Sequence, residues 1–103
     1  MKLIRQAAGD AELWLAAICA APTLLARAGL LPKGAHAVCY PGLERALVEA
    51  GAVPEMDRPA VIEGRLITGR APGAAFDFGL AIVEALAGPQ AAGTVAAGLV
   101  LNP

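Results

Sequence analysis

Apolar residues run unbroken from Leu13 to Ile18 and pass straight into Cys19-Ala20-Ala21-Pro22, with Asp10 and Glu12 bounding the run on its left. Such a run reads as a buried strand. Thr23 to Ala28 is helix-forming, and Pro22 suits a first helical turn because it has no N–H to leave unpaired. Gly29 then stops that helix. Lys33-Gly34 turns the chain into a short strand from His36 to Tyr40, which Pro41-Gly42 breaks, and Leu43 to Ala50 forms a helix closed by Gly51. Val53 to Arg58 reads as irregular, because Pro54 and Pro59 remove ladder donors. Ala60–Ile62 and Arg65–Thr68 alternate as two strands around Glu63-Gly64, the pattern of a hairpin. Ala71-Pro72-Gly73 opens a long helix, about Ala74 to Ala87, with Asp77 and Glu84 on one stripe and an otherwise apolar surface. It is expected to be mostly buried. Gly88-Pro89 ends it and starts an alanine-rich helix to about Ala97, while Leu3 to Ala8 reads as the last turns of an opening helix stopped at Gly9. Strands alternating with helices give the α/β class, as one domain over residues 1–103.

The first strand meets its helix at Cys19. A sharp strand-to-helix turn needs small neighbours, which Ala20 and Ala21 supply, and it lifts the side chain clear of the sheet. A helix N-terminus also favours a thiolate. Cys19 is therefore a candidate nucleophile, weighed against the ordinary packing role of a free cysteine.

Composition narrows the alternatives. Hydrophobic residues make up 57% of the chain and charged residues 17%, so part of the surface is expected to be covered by another polypeptide. A net charge of −1, scattered basic residues and four aromatics argue against nucleic-acid binding. The apolar run from Leu13 to Ala26 is too short to span a bilayer, and the N-terminus lacks the core of a signal peptide. The expectation is a cytoplasmic protein without a membrane partner. Cys19, Cys39 and His36 have no metal-ligand spacing, no cofactor is implied, and a structural disulfide is not expected in a reducing compartment. His36 is read as a surface histidine, Cys39 as a packing residue, and Arg70 as a donor to the Pro72-Gly73 turn. Asp77 and Glu84 read as a solvated or interface stripe.

The stretch AAICAAPTLLARAGLL, the turn CYPGLE, the segment LITGRAPGAAFDFGLAIVEALAG and the alanine-rich tail together resemble the ThiJ/PfpI superfamily, the deglycase- and glyoxalase III-like proteins. The resemblance implies a flavodoxin-like three-layer sandwich, usually homodimeric, of which this chain carries the C-terminal half. It implies Cys19 as nucleophile, the Ala20 backbone N–H as an oxyanion donor, and Tyr40 beside the thiol, where many relatives carry histidine. Tyrosine donates a hydrogen bond, but with a pKa near 10 it is a poor base at pH 7. Ala71 replaces a glycine and would be strained at positive φ, and Gly69 stands where serine is usual. The family's activities include glyoxalase-type conversion of 2-oxoaldehydes, deglycation of glycated amines, peptidase and chaperone activity, and redox stress response. The first strands, the acidic residue beside the thiol and the glycine pair completing the oxyanion site have no counterpart here. Asp10 and Glu12 cannot replace that acid, since they lie a strand away from Cys19, roughly 20 Å for six residues.

Three arrangements follow from the missing strands: a second polypeptide supplies them, the chain self-associates, or the sequence is a truncated reading of a longer gene. The expected function is cysteine-dependent glyoxalase or deglycase chemistry on a small carbonyl substrate. The alternatives are a non-catalytic redox-responsive or partner-binding module, or a fragment without independent activity.

Overall fold

The computed structural model describes Gln6, Gly9 and residues 13–99. The helix expected over residues 3–8, together with Asp10 and Glu12, lies outside the described residues. Strand β1 is Leu15–Ile18, helix α1 Ala21–Arg27, β2 His36–Ala37, α2 Arg45–Glu49, β3 Val53–Pro54, β4 Ala60–Glu63 and β5 Leu66–Gly69. A 3-10 turn, Pro72–Ala74, leads into α3, Ala75–Ala87, and α4 covers Pro89–Leu99.

The main sheet has the order β1-β5-β4, with β1 parallel to β5 and β4 antiparallel to it. All four β5 residues are buried, so β5 is the central strand. Its side chains alternate between faces. Leu66 joins the cluster formed with Leu25 and Ala26 of α1 and Leu47 of α2, while Gly69 meets Phe78 of α3. Helices thus cover both faces, giving the layers of an α/β sandwich. The hairpin at Glu63-Gly64 forms as expected, with Glu63 opposite Leu66 and Gly64 at φ 58°.

Helix ends follow the glycine signals. After α1, Gly29 takes φ 71° and donates to the Ala26 carbonyl at 3.1 Å, while Leu30 donates to Leu25 at 2.9 Å. The same two bonds close α2, from Gly51 to Val48 and from Ala52 to Leu47. Both are Schellman caps, in which a left-handed glycine turns the chain back on its last carbonyls.

Four expectations are corrected. Val53–Pro54 is not irregular: it pairs in parallel with His36–Ala37. Val53 donates to Ala35 at 2.8 Å and Glu55 to Ala37 at 2.8 Å, so the ladder uses the residues on either side of proline and needs no N–H from Pro54. The strand beginning at His36 ends at Ala37, short of Tyr40, because the backbone at Val38 turns to a side-chain partner, the Thr68 hydroxyl. The first strand is not fully buried: Leu13 is 49% exposed and within β1 only Ala17 is buried, since β1 is a sheet edge. Helix α3 has no buried residue, and Phe76 and Leu86 are 58% and 65% exposed. One side of it packs on the sheet and α4, and nothing among the described residues covers the rest.

Candidate functional site around Cys19

Among the described residues Cys19 is the only non-glycine with positive φ, 67°. An L-residue in this region brings its Cβ against the following carbonyl, at a cost of roughly 1–2 kcal/mol. The conformation persists because both backbone groups are held. Cys19 N–H donates to the Gly69 carbonyl at 3.0 Å, extending the β1–β5 ladder one residue past Ile18. Its carbonyl accepts the Tyr40 N–H at 2.7 Å. The elbow is therefore clamped by β5 on one side and by the Cys39-Tyr40 turn on the other. Cys19 is half-buried, and no hydrogen bond to its thiol occurs among the described residues.

Immediately after the elbow, Ala20 is already helical at φ −83°, ψ −19°, and no side chain caps α1. The Thr23 N–H and hydroxyl both bond the Ala20 carbonyl, at 3.0 and 2.6 Å. The N–H groups of Ala20 and Ala21 have no partner among the described residues, and Pro22 has none to offer. Two free donors thus follow the thiol directly, as a developing oxyanion would require.

Tyr40 comes to Cys19 through its backbone N–H, and its side chain is 45% exposed. Cys39 is fully buried, with its thiol 3.5 Å from the Tyr40 carbonyl. Burial pushes this thiol above the ordinary cysteine range, and the Glu44 carboxylate adds to the shift. The two cysteines are accordingly different in kind, one half-buried on a strained turn and one sealed in the core.

An open groove of about 760 Å³ runs between α1 and α2 from Ala20 and Ala21 past Leu24 and Leu43 to Arg45. Its lining begins at Ala20, the residue after Cys19, and does not include Cys19.

The remaining candidates lie elsewhere. His36 is 49% exposed; its ring contacts the Glu55 carboxylate, and its N–H bonds the Glu63 carboxylate at 2.9 Å. Arg70 does not serve the Pro72-Gly73 turn: Nη1 donates to the Met56 carbonyl at 3.2 Å, pinning the loop before β4. Asp77 and Glu84 share a groove with Arg58 between α3, α4 and β4. Ala71 is extended at φ −166° and carries no strain. Among the described residues no three His, Cys, Asp or Glu side chains converge as metal ligands, and no helix is long and apolar enough to cross a membrane.

Sequence reasoning missed two residues of this site, Thr68 and Gly69. Thr68 is fully buried and its Oγ1 accepts the Val38 N–H at 3.0 Å, holding the chain just before Cys39-Tyr40. Gly69 supplies the carbonyl that holds Cys19, and a glycine inside a strand pattern is itself a sign of close approach by another element.

Residues 1–85 match the DJ-1/PfpI family. The chain belongs to it. It is similar to Protein dj-1beta of Drosophila melanogaster, 42% identical over 87 residues, covering 84% of this chain and 46% of that protein. It is 38% identical over 76 residues to the glutathione-independent glyoxalase DJR-1.2 of Caenorhabditis elegans, covering 74% of this chain and 39% of that protein. The crystal structure of Drosophila DJ-1beta superposes with a TM-score of 0.82 at 39% identity, covering 99% of this chain and 53% of that one. The chain spans about half or less of the length of these relatives. The ThiJ/PfpI resemblance and the α/β sandwich expected from it are both borne out.

Proposed function

We propose that this DJ-1/PfpI chain is a cysteine-dependent protein of the glyoxalase or deglycase type, with Cys19 as its nucleophile. The observation that carries this reading is the strained, doubly clamped elbow at Cys19, followed by two unpartnered N–H groups. The glyoxalase named among the relatives supports the reaction class.

The Cys19 sulfur adds to the aldehyde carbon of a 2-oxoaldehyde. The carbonyl π pair moves to oxygen, which is steadied by the Ala20 N–H and then takes the proton, leaving a hemithioacetal. Moving the C1 proton to C2 through an enediol converts the adduct into a 2-hydroxy thioester, an internal redox change that needs no external oxidant. Water then releases the 2-hydroxy acid and regenerates the thiol. Tyr40 contributes a hydrogen bond near the adduct, and the proton-transfer base is supplied by a second polypeptide. That polypeptide, another copy or a complementing chain, also covers the open edge of β1. A reducing cytoplasm keeps both thiols free.

The test is 2-hydroxy acid formation from methylglyoxal by the purified chain, with Cys19→Ser as control and the assembly mass recorded. Turnover lost in Cys19→Ser supports the reading. Turnover equal in both proteins refutes it.

A second reading has its own support, the absence of a hydrogen bond to the Cys19 thiol among the described residues. In it the chain is a redox-responsive thiol module, and hydrogen peroxide oxidises Cys19 to the sulfenic acid, the O–O bond breaking as the S–O bond forms and the second oxygen leaving as water with the thiol proton. A folded chain inactive on methylglyoxal yet oxidised selectively at Cys19 by peroxide favours it.

A further inference from the structure

One residue holds the Ala20 carbonyl twice: the Thr23 N–H donates to it at 3.0 Å and the Thr23 hydroxyl at 2.6 Å. Thr23 is 6% exposed, so water does not take the hydroxyl's place. The carbonyl of Ala20 and the N–H of Ala21 belong to one peptide unit. In a planar trans unit these two bonds point in opposite directions. With the carbonyl drawn towards Thr23, the Ala21 N–H is turned the other way, out of the first turn of α1, where it has no partner among the described residues. Two hydrogen bonds at the carbonyl also polarise the unit and strengthen its N–H as a donor. The backbone adds to the aim. Cys19 at φ 67° followed by Ala20 at φ −83°, ψ −19° alternates in handedness, which turns successive N–H groups towards a common point. Ala20, Ala21 and Thr23 all line the open groove, so this peptide is accessible to a ligand.

We infer that Thr23 is a positioning residue for the reaction at Cys19, aiming the Ala21 N–H as a second oxyanion donor beside that of Ala20. Thr23 touches no reacting atom; it acts through the Ala20–Ala21 peptide. Capping α1 does not need the hydroxyl, because the Thr23 N–H already satisfies the same carbonyl. The hydroxyl's role therefore shows only in reactions that place charge on oxygen. Attack of the Cys19 sulfur on a carbonyl sends the π pair to oxygen, where the two N–H groups meet it. Displacement of iodide from iodoacetamide by the same sulfur develops no oxyanion.

This inference rests on Cys19 being the reactive thiol. The experiment compares two reagents on the full chain at pH 7, with modification of Cys19 and Cys39 followed separately by peptide mapping. p-Nitrophenyl acetate is attacked at its carbonyl carbon; the tetrahedral oxyanion collapses, p-nitrophenolate leaves, the thiol proton goes to solvent and Cys19 is left acetylated. Iodoacetamide is the control. Thr23→Val removes the hydroxyl and keeps the shape, whereas Thr23→Ser keeps the hydroxyl, and each variant is checked for native circular dichroism. Losing an oxyanion donor outright slows a reaction about 10²–10³-fold, so loss of its aim is expected to slow Cys19 acetylation about tenfold in Thr23→Val. Alkylation of Cys19 should stay within about twofold of the parent, and Thr23→Ser should stay within about threefold on both reagents. Unchanged acetylation in a folded Thr23→Val overturns the inference. So do acetylation and alkylation slowed alike, which marks damage to the whole elbow, and a Thr23→Ser acetylated as slowly as Thr23→Val. If Thr23→Val does not fold, Thr23→Ala is read in its place by the same criteria. A parent chain whose Cys19 is alkylated no faster than Cys39 would instead refute the reactive-thiol reading, so the two failures are distinct.

Discussion

Thr68→Val keeps the β-branched shape and removes one acceptor. Thr68 and Val38 are both fully buried, and Oγ1 takes the Val38 N–H at 3.0 Å. Valine leaves that N–H without a partner in a place water does not reach, which costs about 1–3 kcal/mol. The extra methyl group recovers roughly 0.8 kcal/mol of apolar burial. The net loss is about 0.2–2.2 kcal/mol, or a fall in Tm of about 1–18 °C for a domain of this size. Urea unfolding followed by circular dichroism and by Trp14 fluorescence measures it, with amide exchange at Val38 as the local readout. Thr68→Ser keeps the acceptor, so Val38 exchange should stay slow there even if the lost methyl lowers stability. A Thr68→Val chain at least as stable as the parent, with Val38 exchange unchanged, would refute the assignment of this bond as the anchor of the Cys39-Tyr40 turn.

Cys19→Gly should remove the left-handed strain and raise stability by about 1 kcal/mol in urea while abolishing turnover; a destabilised variant would contradict the strain. The Cys39 thiol, raised by burial, keeps its proton in the folded state at pH values where the unfolded thiol has lost it. Its contribution to stability is therefore complete below the unfolded value, about 8.5, and declines as pH rises through the folded value. The urea midpoint should fall between pH 8 and pH 10 more steeply in the parent than in Cys39→Ala, and equal slopes would contradict the shift.

The parts of the fold legible in the sequence were those written in local chemistry. Gly29, Gly51 and Gly64 mark turns that need positive φ, and each does so. The elbow was legible because an apolar strand, a thiol between small residues and an early proline occur together. What escaped depended on distant partners. The Thr68 hydroxyl reaches a backbone thirty positions away, and Arg70 answers a carbonyl fourteen away in a loop with no regular pattern. Pro54 hid a strand because composition does not say which backbone groups the ladder uses, and here it passes over the proline. The exposure of α3 was misjudged for a related reason. Apolar residues say that a face seeks cover, whereas the cover itself is set by what packs there, and among the described residues much of α3 has none.

The site was legible as positions more than as a device. Cys19 could be named from the strand-to-helix pattern and Ala20 and Tyr40 from the family resemblance, and the structure brings the Tyr40 backbone to Cys19 at 2.7 Å. The clamp on the elbow, the Gly69 carbonyl that accepts the Cys19 N–H, lies fifty positions further along the chain.

The most direct measurement is the ratio of iodoacetamide labelling rates at Cys19 and Cys39 in the folded chain at pH 6. The strained, half-buried thiol at the open start of α1 should react at least about tenfold faster than the buried thiol held above the ordinary cysteine range. Equal, slow labelling of the two would contradict Cys19 as the reactive centre.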